Sequence, residues 1–218
     1  VNAAPLSHGR EELFTALCLK KSSRKRTLLP FAIGLLLIGP SFSQELRFLK
    51  EKITVNVHDG YCRVRGTYFL KNAAATPVTR IFYYPVAVNA TMPFPHFWRV
   101  ENPPSTSLPF AVGDSGISFS KKIAPHSMDS FQVEYQQKTA RRAFEYVLTS
   151  TSSWKAPIDS AEIVVLVPKK FKLQSISIPY DRVIQRRDRL EYIITRSHFF
   201  PNKNLFINWE DRADETVH

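Results

Sequence analysis

Twelve prolines between residues 77 and 201 (at 77, 85, 93, 95, 103, 104, 109, 125, 157, 168, 179 and 201) leave this chain almost no window for a long amphipathic helix. Proline lacks the N–H that a helix needs and clashes with the preceding turn. The prolines fall mostly between short runs in which apolar and polar residues alternate, the period of a half-buried strand. Ile53, Val55 and Val57 alternate with Thr54, Asn56 and His58; after Asp59-Gly60, the residues Cys62, Val64, Gly66, Tyr68 and Leu70 share one face. Two such runs around Asp-Gly predict a hairpin. Strand-like runs over 80–88, 116–123, 130–137, 143–149, 161–167, 172–178, 182–187, 190–195 and 204–209 follow about every dozen residues. The expected fold class is all-β, an antiparallel β-sandwich spanning 44–209.

Three segments carry sharper expectations. The run Ala161–Val167 is apolar on both faces after Glu162, which predicts a central strand covered on both sides. Residues Val183 to Leu190 read as an exposed hairpin whose charges discourage edge-to-edge pairing. Residues 89–112, with five prolines and the aromatics Phe94, Phe97, Trp98 and Phe110, read as one long irregular loop. Exposed, it is an apolar patch for a partner or glycan; folded back, it caps the sandwich.

The first 43 residues read as a secretory signal with an over-extended N-terminus. Lys20-Lys21-Ser22-Ser23-Arg24-Lys25-Arg26 precedes an apolar run of 12 residues from Leu28 to Gly39, and Ser41-Phe42-Ser43 supplies small residues at a cut site. A spanning helix needs about 20 apolar residues, so the run is short for a permanent anchor. Glu11 and Glu12 are foreign to such a leader, and no Met occurs before Met92, so a start near Leu17 or Leu19 is expected. The expected location is outside the cytoplasm, periplasmic or extracellular. Removal of the leader leaves Cys62 as the lone cysteine, read as a small buried hydrophobe.

Catalytic signatures are weak. Gly113-Asp114-Ser115-Gly116 is reminiscent of a serine-protease nucleophile motif, yet Ile117 follows where a second Gly belongs and no histidine has matching surroundings, so it reads as a turn. No His or Cys spacing suits a metal and no glycine-rich loop suits a phosphate, so no metal or cofactor is expected. The carboxylates cannot be paired from the sequence, and no catalytic residue is assigned.

Charge is the remaining clue. The chain carries 30 Lys plus Arg against 19 Asp plus Glu, net +11, of which the body from Gln44 to Trp209 holds +10 and the tail 210–218, expected to be flexible, holds −3. A hydrophobic share of 44% excludes a disordered basic tail, so the excess lies on a folded surface. The clusters Arg141-Arg142, Lys169-Lys170-Lys172 and Arg182-Arg186-Arg187-Arg189 read chiefly as solvated turn residues. As an alternative, Arg182, Arg186, Arg187 and Arg189 join Phe94, Phe97 and Trp98 in holding an anionic glycan or lipid. Export disfavours nucleic acid as a partner.

Gly66-Thr67-Tyr68-Phe69-Leu70-Lys71-Asn72 followed by Ile81-Phe82-Tyr83-Tyr84-Pro85-Val86, and Ile123-Ala124-Pro125-His126-Ser127 followed by Phe131-Gln132-Val133-Glu134-Tyr135, resemble the vault/inter-alpha-trypsin (VIT) type of β-sandwich. The second half, with Thr151 to Ile158 before Ala161 to Pro168, is similar to uncharacterised exported bacterial β-sandwich proteins. The resemblance implies an immunoglobulin-like or VIT-like sandwich that binds rather than catalyses. The expected function is therefore an exported binding or structural module of the bacterial cell envelope, with an envelope protein as partner. The alternatives are the anionic glycan or lipid binder described above and a hydrolase using unidentified carboxylates.

Overall fold

The computed structural model describes residues 46–212. The expected signal segment 1–43 and the tail beyond Arg212 lie outside the described residues. The strands in chain order are β1 (Leu46–Val57), β2 (Tyr61–Asn72), β3 (Val78–Pro85), β4 (Phe97–Asn102), β5 (Thr106–Ser107), β6 (Phe110–Gly113) and β7 (Gly116–Ile123). They continue with β8 (Met128–Lys138), β9 (Ala143–Tyr146), a 3-10 helix (Thr149–Trp154), β10 (Ile158–Pro168), β11 (Phe171–Ile176), β12 (Arg182–Gln185), β13 (Arg189–Phe199) and β14 (Leu205–Asp211).

These strands form one eight-stranded sheet, ordered β12-β13-β10-β1-β2-β8-β4-β5, and two three-stranded sheets, β3-β7-β6 and β11-β14-β9. The small sheets pack on the same face of the large one. Phe82 of β3 and Phe119 of β7 each lie 5.0 Å from Phe131 of β8, and the Tyr146 hydroxyl of β9 meets that of Tyr68 on β2 at 2.7 Å. Buried side chains of all three sheets, from Ile53 and Val64 through Ile117 to Phe171 and Ile207, form a single core. The architecture is the expected all-β sandwich, with one layer split in two.

Local chemistry explains most boundaries. Gly60 takes the left-handed conformation (φ 74°) that closes the β1–β2 hairpin, where the His58 amide donates to the Tyr61 carbonyl. The Gly113–Gly116 segment is the turn between β6 and β7. Buried Asn72 ends β2 by clasping two loops: its amide donates to the Thr76 and Ala124 carbonyls at 2.9 Å each, and its oxygen accepts from the Ala74 amide. Edge strand β12 and the turn after it are the charged hairpin read in the sequence.

Several expectations change. Among the described residues all strand pairings but one are antiparallel; β1 and β10 run parallel because the chain leaves the large sheet through β9 and the 3-10 helix before returning beside β1. Within the run Ala161–Val167 of β10 only Ala161, Ile163, Val165 and Val167 are buried; Val164 and Leu166 are half-exposed because no layer of the described residues covers the outer face of the large sheet. The stretch 89–112 is not one loop, since β4, β5 and the start of β6 lie within it and the turn at Pro103-Pro104 folds β5 back on β4. The run from Ala143 stops being a strand at Tyr146. In the following helix the hydroxyls of Thr151, Ser152 and Ser153 each donate to the carbonyl three residues back, an alternative to a strand ladder. At the C-terminus, Glu210 and Asp211 belong to β14, paired with Lys172 and Phe171, rather than to a flexible tail.

Candidate functional site

A pocket opens where the three sheets meet. Strand β1 supplies Phe48 and Glu51 through a change of phase. Leu46 and Phe48 point inward at even positions, the register with β2 slips between Phe48 and Lys50, and Glu51, Ile53, Val55 and Val57 then point inward at odd ones. This bulge directs a carboxylate into the core. Across the ladder Glu51 faces Tyr68. The Tyr68 ring lies over Gly66, where an added Cβ would stand 2.1 Å from the phenolic oxygen, so the ring occupies the place of a residue-66 side chain.

Tyr68 of the large sheet, Tyr84 of β3 and Tyr146 of β9 bring one hydroxyl from each sheet to a common point. Tyr68 donates to Tyr84 at 2.9 Å, and Tyr146 lies 2.7 Å from Tyr68 and 3.2 Å from Tyr84. Burial raises all three phenols well above their ordinary range, with the neighbouring hydroxyls and, for Tyr68 and Tyr146, Glu51 adding to it. The hydroxyls therefore stay neutral and hold the sheets together as hydrogen-bonding groups.

The rim is the 3-10 helix. Asn204 fixes its start, its oxygen accepting from the Leu148 and Thr149 amides while its amide donates to Glu145 at 2.7 Å. Exposed Ser150 and Ser153 border the opening, and Trp154 closes one side against Phe48 and Phe82, with the Arg80 guanidinium 5.4 Å from its ring centre. The cavity encloses about 90 Å³, room for about six waters.

Among the described residues lining this space, Glu51 is the one carboxylate. It is 1% exposed, and its Oε1 is buried with no hydrogen-bond partner. Burial pushes its carboxyl from the usual range up to about 8. A buried acid without a partner is costly for a fold to keep, and such groups concentrate at functional sites.

A second polar cluster occupies the outer face of the large sheet. The Glu134 carboxylate of β8 receives Arg65 Nη2 at 2.7 Å, Arg99 Nη2 at 2.9 Å and the Arg63 guanidinium, whose Nε stands at 2.6 Å. Burial raises the acid, but hydrogen bonds from Arg65, Arg99 and Arg63 outweigh it and hold the carboxyl at about 2. Beside them Thr54, Asn56, Arg63, Arg65 and Leu166 line a shallow hollow.

The residues singled out in the sequence do not come together. Phe94 and Trp98 fold onto the core, Trp98 lying 5.1 Å from Tyr135, while Phe97 is exposed on the opposite face of β4. Arg182, Arg186, Arg187 and Arg189 belong to β12, the turn after it and the start of β13. Five strands separate β12 from β4, which at about 4.8 Å per strand places the groups roughly 30 Å apart. Arg186 and Arg189 each pair with Glu191 at 3.2 Å. Ser115 sits in a hairpin turn, its hydroxyl 2.7 Å from that of Tyr83. Cys62 is fully buried, and burial pushes its thiol up, away from reactivity. Among the described residues no group of three or more His, Cys, Asp or Glu is placed to hold a metal ion.

Glu51 and the tyrosine triad escaped the sequence reading. The available signal was the change of phase from Leu46 and Phe48 to Ile53, Val55 and Val57, which makes Glu51 an inward position.

No family model and no curated protein matches the sequence. Among solved structures, the chain is similar to a Legionella pneumophila protein described provisionally as a nutrient binding protein, with a TM-score of 0.62 and 13% identity over 76% of this chain and 67% of the other. It also aligns with an M1 zinc metallopeptidase of Deinococcus radiodurans at a TM-score of 0.45 and 9% identity, covering 76% of this chain but 42% of the peptidase. The second likeness is too loose to carry an argument; the first shows a shared all-β fold.

Proposed function

We propose that this chain is an exported, non-catalytic ligand-binding module of the bacterial cell envelope, and that the pocket at the three-sheet junction is its binding site. The observation that carries this reading is the buried Glu51 carboxyl, its Oε1 without a partner, on the wall of an open aromatic pocket. Pockets of this kind, largely apolar with a few converging polar groups, are where small molecules bind. The provisional description of the Legionella protein as a nutrient binding protein agrees with a binding role. Export rests on the order of basic, apolar and small residues over 20–43. Among the described residues a single carboxylate lines the pocket, which favours binding over hydrolysis by an acid–base pair.

The anionic-ligand alternative loses support from the distance between the basic hairpin and Trp98. The test is an NMR titration with benzyl alcohol, a neutral aromatic probe. The expected result is saturable shifts centred on Trp154 and Tyr146 that disappear in Ser153→Trp, where a bulky side chain fills the opening. Shifts that fail to saturate, or that persist in the blocked variant, reject the pocket as the site.

A further inference from the structure

Resting on the pocket reading above, we propose that the ligand is a small organic cation whose alkylated ammonium head sits among the tyrosine rings against Glu51. Each phenol has one proton to give and two lone pairs with which to accept. Tyr68 gives its proton to Tyr84, and the triangle closes when Tyr84 donates to Tyr146 and Tyr146 to Tyr68. The ring consumes all three donors and leaves spare lone pairs on every oxygen. None of its protons is left for Glu51, consistent with the unpartnered Oε1. The polar equipment at the pocket floor is rich in acceptors and poor in donors, a match for positive charge and a mismatch for an anion.

The walls agree with the floor. Phe48, Phe82, Phe131 and Trp154 line the same space, and aromatic faces attract ammonium groups by their quadrupoles, most strongly where water is excluded. A volume of about 90 Å³ suits a compact head such as trimethylammonium, one nitrogen with its methyl groups. A neutral apolar ligand fills the space but leaves Glu51 without a partner, whereas a cation supplies one.

Binding is then coupled to a proton. The groups facing Glu51 are Tyr68 from β2 and Tyr146 from β9, with Tyr84 of β3 hydrogen-bonded to both, all neutral phenols; Ala161 is opposite on β10, and Arg80 stacks on Trp154 at the rim. The carboxyl of the empty pocket is protonated below about pH 8. When the cation enters, that proton leaves to solvent, and the carboxylate and ammonium form an ion pair.

The test compares choline with its carbon isostere 3,3-dimethylbutan-1-ol by calorimetry on the wild-type protein. Choline is expected to bind at least tenfold more tightly, to release close to one proton at pH 7, and to gain affinity by nearly tenfold per pH unit up to about pH 8, levelling off above it. The isostere is expected to show no such pH dependence, and Glu51→Gln to lose the preference for choline. Equal or tighter binding of the isostere overturns the inference, as does choline binding without proton release. If benzyl alcohol occupies the pocket and choline does not, the ligand class is wrong while the pocket reading stands. If neither binds, both fall. The wild-type pH profile decides the matter even if Glu51→Gln folds poorly.

Discussion

Glu51 and Glu134 sit two strands apart on opposite faces of the same sheet, one 1% and the other 2% exposed, yet their chemistry diverges. Glu51 is covered by aromatic rings, which give a charge nothing in return for lost water, and its carboxyl rises to about 8. Glu134 is covered by three guanidinium groups whose outer sides remain in solvent, and its carboxyl falls to about 2. Exposure alone therefore predicts neither protonation nor role; the chemistry of the covering layer does. Glu134 is the ion pair that a polar sheet surface can support. Glu51 is a feature that packing alone does not explain.

The largest test of this contrast is Glu51→Leu at alkaline pH. The folded-state value of Glu51 lies above its unfolded one, so its contribution is fully present below about pH 4.5 and is lost as pH rises to about 8, at roughly 1.4 kcal/mol per pH unit. At pH 9 the leucine variant is expected to be more stable than wild type by about 3–5 kcal/mol, with a flatter stability profile across this window in urea denaturation. Equal slopes for the two proteins would show that Glu51 is solvated. Next in size, Glu134→Gln is expected to cost about 2–3 kcal/mol at pH 7, since three arginines lose their common counter-charge. Here the sign reverses: the wild-type advantage exists above about pH 4.5 and fades as pH falls towards about 2. Smallest is Gly66→Ala, at about 1–2 kcal/mol, because the new methyl displaces the Tyr68 ring. A crystal structure of that variant should show the hydroxyl triangle opened at Tyr68; an intact triangle would mean that the backbone yields instead.

The strands were legible where alternation was undisturbed. Gly116 to Ile123 has the same bounds in sequence and structure, and Asp59-Gly60 turns the hairpin as expected. Reading failed where a local device changed the period. The slip after Phe48 hid the first half of β1, the run expected over 143–149 ends at Tyr146 where the chain turns into the 3-10 helix, and flanking prolines concealed β4. The pocket was illegible for a different reason. Tyr68, Tyr84 and Tyr146 are distant in the chain and lie on separate sheets, so their meeting belongs to tertiary packing. The outer cluster had a partial signal, with Arg63 and Arg65 alternating on one strand, but nothing in the order of residues points them at Glu134.

The parallel seam also sets a timetable for folding. Lys50 pairs with Ser160, so two adjacent inner strands of the large sheet come from segments 110 residues apart. The local β1–β2 hairpin forms early, and one edge of β1 then waits for a partner that only a large loop closure delivers. Such non-local pairing places folding in the slow range of two-state domains, milliseconds to seconds. During that interval an unpaired central strand is a template for aggregation. Arg47, Lys50 and Lys52, clustered at the start of β1, place positive charge along the waiting edge. Arg47, which in the finished sandwich pairs with Asp159 of β10 at 3.1 Å, and its neighbouring lysines thus protect the chain before it is finished.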